Sequence, residues 1–373
     1  MSIPARFLWL ILPLLAFAIA LPFLVRPERG EPASRVMLAM EERIETPEER
    51  AFEQRLEEIG AGLDGEVGIA VVDAETGYAY DFDGHEMLPQ QSVSKLWVSM
   101  VALAQVDAGE LDLDEGVTIR REDLVLFHQP IREIVRTRGS FTSDYADLLQ
   151  RAITRSDNAA NDRLLRRVGG AEEVQDWLDD NDIEGVRFGL DERTKQSAIA
   201  GLEWRQSYSY GNEFYQARDQ VPEDVRRDAF ESYLADPVDG ATPLAIARAL
   251  ARLANGELLS PASTQALRDT LEATRSGPRR LKGGAPEGWR VEHKTGTGQF
   301  FDGEQSGYND VGILTSPEGR DYAVAVMIGR TREPTPARME MMQAVTAAVA
   351  EFDRARRDES EPQLAAARGS EPS

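Results

Sequence analysis

Sheet-forming segments stand at the two ends of this chain and helix-forming ones between them. Near the start, Val67-Gly-Ile-Ala-Val-Val-Asp73 and the run from Tyr78 to Phe82 are β-branched or aromatic and are split by Glu75-Thr-Gly77, the pattern of a hairpin. The β pattern returns only in Arg290 to Thr297, Asp310 to Thr315 and Tyr322 to Gly329. One sheet must then be assembled from segments more than two hundred residues apart, with what lies between displayed as an insertion. The expected class is α/β, an α+β sandwich: an antiparallel sheet from both termini, flanking helices and an inserted all-helical region at about 92–240, with a cleft where the parts meet.

The helical periods fit this plan. From Ser92 to about Ala108 apolar residues nearly encircle a helix, which predicts burial on most sides. Residues 143–168 read as helical with a break near Ser156, and Thr242-Pro243 opens another helix in the N-cap then proline order. A helix from Pro47 to Gly60 precedes the hairpin, and Met339, Met342, Val345, Val349 and Phe352 recur at helical spacing in a closing one. The domain is expected over 47–355, with a linker at 31–46 and a disordered tail at 356–373, where charged residues, Ala and Pro dominate.

Residues 1–30 read separately, because 7–25 are uncharged and apolar after Arg6, the layout of an export signal or a retained membrane anchor. The expected location is therefore outside the cytoplasm, periplasmic, either soluble after cleavage or anchored through 7–25. A net charge of −23 argues against nucleic acid, whose phosphates need a basic face. Without cysteine there are no disulfides or thiolate metal sites, and the three scattered histidines give no metal cluster; no metal or cofactor is expected. Nothing in the sequence demands more than a monomer.

Three short motifs carry chemistry. Ser92-Val-Ser-Lys95 puts a lysine amine one helical turn after a serine, within reach of its hydroxyl, which makes Ser92 a candidate nucleophile. Ser156-Asp-Asn158 and Lys294-Thr-Gly296-Thr297 follow in that order, the first reading on its own as a cap or Asx turn and the second as a strand edge with little side-chain bulk. Together they resemble the serine acyl-enzymes of the β-lactamase and penicillin-binding protein superfamily, most of all class A β-lactamases, over roughly residues 45–355.

The resemblance implies a small-molecule substrate, a β-lactam or a peptidoglycan-like peptide. It implies Ser92 as nucleophile, Lys95 as base or charged partner, and Ser156 as proton carrier to the leaving nitrogen. Asn158 would hold the substrate acylamide, Lys294 and Thr295 its carboxylate, and Ser92 and Thr297 would supply oxyanion N–H groups. Gly296 would leave room for substrate along the strand.

Release of the acyl group needs a base for water. The family's Glu-x-x-x-Asn with flanking proline is absent in that form; Glu192-Arg-Thr-Lys-Gln196 is the nearest counterpart, Gln196 standing for the asparagine, with Glu203 a rival base. The leading expectation is a serine β-lactamase. The alternatives are a D-Ala-D-Ala carboxypeptidase or peptidoglycan amidase, and a penicillin-binding sensor or pseudoenzyme that does not turn over. Residues 197–241 form an enlarged loop rich in aromatics, expected to pack a helical cap more than to touch substrate. Arg330, Arg332 and Arg338 are candidate carboxylate partners, and His128 and His293 candidate cleft residues.

Overall fold

The structure, a computed structural model, describes residues 45–368. The apolar segment 7–25 and the linker up to residue 44 lie outside the described residues. Among those described, no helix is long and apolar enough to cross a membrane.

Five antiparallel strands make the main sheet, in the order Ala79–Phe82, Glu66–Asp73, Asp321–Arg330, Tyr308–Thr315, Arg290–Thr297. The two chain ends meet at its centre, where Ala70 faces Ala325 and Val71 faces Val324 across the ladder. Because side chains alternate along a strand, each face has its own cargo. Val67, Ile69, Val71, Val324, Val326 and Ile328 pack against Phe52 and Leu56 of the helix Pro47–Ala61 and Met342, Val345, Val349 and Phe352 of the closing helix. The opposite face presents Ala70, Val72, Ala323, Ala325 and Met327 to the helical region.

Small residues on that second face let helices approach closely. A Cβ on Gly68 would lie 2.6 Å from Pro243 Cγ, so the helix Pro243–Ala254 rests on backbone there. Above it the nearly encircled helix, Lys95–Asp107, is buried through Leu96, Trp97, Val98, Met100, Val101 and Leu103. Asp157 caps the helix Asn158–Val168 by accepting from the Ala159 and Ala160 N–H groups, which explains the break near Ser156.

Two expectations need correction. The inserted region is not all-helical: Gly116–Ile119 pairs with Phe141–Asp144, and Leu88–Pro89 with Gly240–Ala241. The first ribbon is too short to show a period, yet buries Val117, Ile119 and Phe141; the second ties the start of the insertion to its end. The closing helix runs Thr335–Arg368, so helical backbone continues through much of the stretch expected to be disordered. Alanine, arginine and glutamate there favour helix intrinsically, whether or not a core is present.

A charged cluster fastens the last strands to the helix Pro261–Glu272. Arg268 donates to Glu292 at 2.9 Å and to Asp321 at 2.7 Å, and Arg290 also reaches Glu292. Glu292 is fully buried, so an arginine removed from it leaves a carboxylate short of its counter-charge. Arg268→Ala is expected to destabilise the fold by about 3 kcal/mol, read from the midpoint of urea unfolding at constant m.

Candidate active site

Ser92 sits in a 3₁₀ turn, Gln91–Ser94, with the regular helix starting only at Lys95. The helix was expected to begin at Ser92. The tighter turn follows from Gln91, whose φ of 55° puts a non-glycine residue in the left-handed region. Its N–H donates to Asp239 Oδ2 at 2.9 Å, and its side-chain amide donates to Tyr233 Oη and the Ser306 carbonyl. Lys95 Nζ donates to Ser92 Oγ and to Asn158 Oδ1, both at 2.7 Å. Burial pulls the Lys95 amine below its ordinary pKa, Lys195 adds to this, and nearby Glu192 opposes it.

Ser156 is also left-handed, φ 53°, in the link between two helices. Lys294 Nζ donates to Ser156 Oγ at 3.1 Å and to the Thr295 carbonyl at 2.8 Å. Lys294 is wholly buried, which holds its amine well below the ordinary lysine range, with Lys95 contributing in the same sense. Asn158 turns its amide inward, donating to the Leu126 carbonyl and to Glu192 Oε1 at 3.4 Å.

A cavity of about 420 Å³ gathers Ser92, Ser156, Asn158, Glu192, Gln196, Thr295 and Thr297. Lys95 and Lys294 stand behind its wall, each reaching it through a serine hydroxyl. Gly296 does not leave room for a ligand: a Cβ there would lie 2.3 Å from the Gln90 carbonyl, so its bareness lets the strand close on the turn that carries Ser92. His128 lines the cavity, whereas His293 is buried against Asp310 at 2.9 Å.

Two arginines line the cavity, Arg155 and Arg280, and the sequence reading singled out neither; Arg280 is the one at the Thr297 strand edge. It donates to Thr297 Oγ1 and the Asn309 carbonyl, both at 2.6 Å, with its guanidinium 3.7 Å above the Tyr308 ring. Nothing local marks it, since it follows Gly277-Pro278 in a loop and only the tertiary fold brings it to the strand edge. Arg330 and Arg332 are instead paired with Glu304, and Arg338 with Gln305 and the Glu333 carbonyl.

Glu192 opens a short helix, Glu192–Ile199, capped by Asp191 and held by Asp162, which accepts from the Glu192 N–H. Gln196 donates to Glu192 Oε1 at 3.1 Å and to Gln91 Oε1 at 2.8 Å, and it accepts from Gln299. Burial pushes the Glu192 carboxyl up, but Lys195 and Lys95 outweigh it, leaving the net shift downward. Burial and the neighbouring Asp191 and Glu192 carboxylates raise Asp162 to about 6. Glu203 is exposed and away from the cavity.

No residue of 197–241 lines the cavity. Tyr208 and Phe214 pack with Leu126, and Phe230 and Tyr233 with Ile199 and Leu234. Phe127, which does line the cavity, meets Phe214 edge to face at 5.1 Å, so the insertion buttresses the wall from outside.

Residues 51–352 match the sequence profile of the Beta-lactamase enzyme family. The chain is 29% identical over 283 residues to the Extended-spectrum beta-lactamase PER-1 of Pseudomonas aeruginosa, covering 76% of this chain and 80% of that one. To Beta-lactamase VEB-1 of the same species it is 24% identical over 282 residues, covering 75% and 82%. The crystal structure of a beta-lactamase from Chitinophaga pinensis DSM 2588 superposes with a TM-score of 0.66 at 27% identity, over 82% of this chain and 99% of the other.

The buried Lys294 yields a prediction about stability. Its amine holds a proton less tightly in the fold than in the unfolded chain, so between those two pKa values the unfolded chain binds more protons and stability rises with pH. Lys294→Met should therefore unfold later than the parent near pH 7, by roughly 1–2 kcal/mol, with the gap closing as pH rises toward the ordinary lysine range. Thermal unfolding of both proteins across pH 6–10 measures it.

Proposed function

The chain belongs to the beta-lactamase enzyme family, and from that membership we propose that it hydrolyses β-lactams through an acyl-enzyme on Ser92. The observation that carries the reading is the Ser92 hydroxyl 2.7 Å from a desolvated lysine amine, in one cavity with Ser156 and Glu192. A lysine with weakened hold on its proton can accept one from serine as Oγ attacks the ring carbonyl. Glu192 can take the same proton through a water, and the geometry supports either route.

Attack forms the Oγ–C bond and pushes charge onto the carbonyl oxygen, where N–H donors at Ser92 and Thr297 stabilise it. Collapse breaks the ring C–N bond. The nitrogen then takes a proton from Ser156 Oγ, which Lys294 can resupply. A substrate carboxylate sits at Thr295 and Thr297 with Arg280, the guanidinium offering the charge-assisted contacts that a buried Lys294 does not present to the cavity. The proton first taken from Ser92 replaces the one Lys294 gave. Glu192 then removes a proton from water as it attacks the ester, and collapse breaks the C–Oγ bond as Glu192 passes that proton to Ser92 Oγ.

The apolar segment 7–25 supports action outside the cytoplasm, where such substrates are met.

Nitrocefin hydrolysis read by absorbance, beside intact-mass spectra, tests the reading. The parent should turn over. Ser92→Ala should lose about 10³-fold or more in kcat/KM and take no adduct. Glu192→Gln should acylate and then hold its adduct, with release slowed by about 10²–10⁴-fold. A lasting adduct on the parent would instead favour a penicillin-binding protein or sensor, and the absence of both turnover by the parent and an adduct on Glu192→Gln would remove β-lactams as substrates.

A further inference from the structure

Lys195 takes no step in the chemistry above, yet it is the cation paired directly with Glu192. It follows Glu192 by three residues on one short helix, is 2% exposed, and holds its Nζ 3.3 Å from Glu192 Oε2 and 2.9 Å from Asp239 Oδ2. Asp239 also accepts from the Gln91 N–H at 2.9 Å and from Tyr233 Oη at 2.8 Å. Gln91 Nε2 donates to that tyrosine oxygen at 2.7 Å, while Gln91 Oε1 accepts from Gln196, which itself donates to Glu192. The hydrogen bonds close a ring through the residue before the nucleophile, the residue proposed as base, and a helix of the 197–241 insertion.

A buried ammonium is unfavourable unless its charge is met. Here one cation serves two carboxylates, Asp239 fixing it from the far side and Glu192 meeting it on the cavity side. We infer that Lys195 is a positioning residue: clamped by Asp239, it holds the Glu192 carboxylate ionised and in one orientation beside Ser92, and Tyr233 of the insertion completes the clamp. This rests on Glu192 being the base of the acyl-enzyme reading.

The groups around Glu192 bear on the sign. Lys195 on its own helix and Lys95 on the nucleophile helix favour its charged form. Asp162 on the helix Asn158–Val168 and the burial itself oppose that form. Tyr233 and Lys294 also feel its charge. Removing the Lys195 ammonium leaves burial, Asp162 and an Asp239 carboxylate without its counter-charge against Lys95, Lys294 and the Gln196 hydrogen bond, so Glu192 should bind a proton at higher pH.

The test uses the full chain and two readouts. In the first, protein labelled with ¹³C at glutamate carboxyls is titrated without substrate, the Glu192 signal being the one lost in Glu192→Gln. Lys195→Met should move its midpoint up by about one pH unit or more, and Lys195→Arg by less. In the second, benzylpenicillin turnover is resolved into acylation and release. Lys195→Met should slow release by about tenfold or more and move its acid limb to higher pH, with acylation changed by less than about threefold.

A folded Lys195→Met with an unmoved midpoint and unaltered release would overturn the inference. Should that variant fail to fold, Asp239→Asn, which keeps an acceptor for the Gln91 N–H, must show the same shifts in smaller measure or the inference falls. If the parent does not turn over benzylpenicillin and Glu192→Gln takes no Ser92 adduct, the acyl-enzyme reading fails, while the carboxyl titration still judges the hold of Lys195 on Glu192.

Discussion

The Lys95 amine, drawn out of water and shared between Ser92 Oγ and Asn158 Oδ1, is the contact on which the site depends. An ammonium or amine is placed there only if a buried helix carries it, and that helix is buried because the helices Tyr145–Thr154, Asn158–Val168, Ala171–Asp180 and Pro261–Glu272 pack around it. The strained turn at Gln91 then follows. It is held in the left-handed region by Asp239, by Tyr233 and by the Ser306 carbonyl, three partners from distant parts of the chain.

Charge is the second constraint. Lys95, Lys195 and Lys294 are all buried near one cavity, and repulsion among them would be severe if each kept a full proton unmet. The structure treats them differently. Lys195 is matched by two carboxylates and stays above its ordinary pKa against the pull of burial, whereas Lys95 and Lys294 hold no carboxylate by direct contact and fall below theirs. The two lysines with weakened protons are the two that touch the serine hydroxyls.

Much of this was legible before any coordinates. The β-branched runs at 67–73 and 322–329 and the helical periods at 95–107 and 243–254 are strong because each buries one continuous face, and those elements lie where their periods put them. The motif residues were readable because their chemistry is local: serine and lysine one turn apart, serine and asparagine around a helix break. What stayed hidden was tertiary. Arg280 has no motif, and Asp239 meets Lys195, and Tyr233 meets Asp239, only through the folding of the insertion. Gly296 carried a plausible meaning as room for a ligand, but its neighbour is the Gln90 carbonyl. Short strands such as Gly116–Ile119 have too few residues for a period to declare itself.

The most direct test of the account is a crystal structure of Glu192→Gln exposed to benzylpenicillin and frozen once acylated. The account predicts continuous density from Ser92 Oγ to the opened ring, the ester oxygen against the N–H groups of Ser92 and Thr297, and the substrate carboxylate beside Thr295, Thr297 and Arg280. An intact ligand resting in the cavity, or an ester on any other side chain, would contradict it.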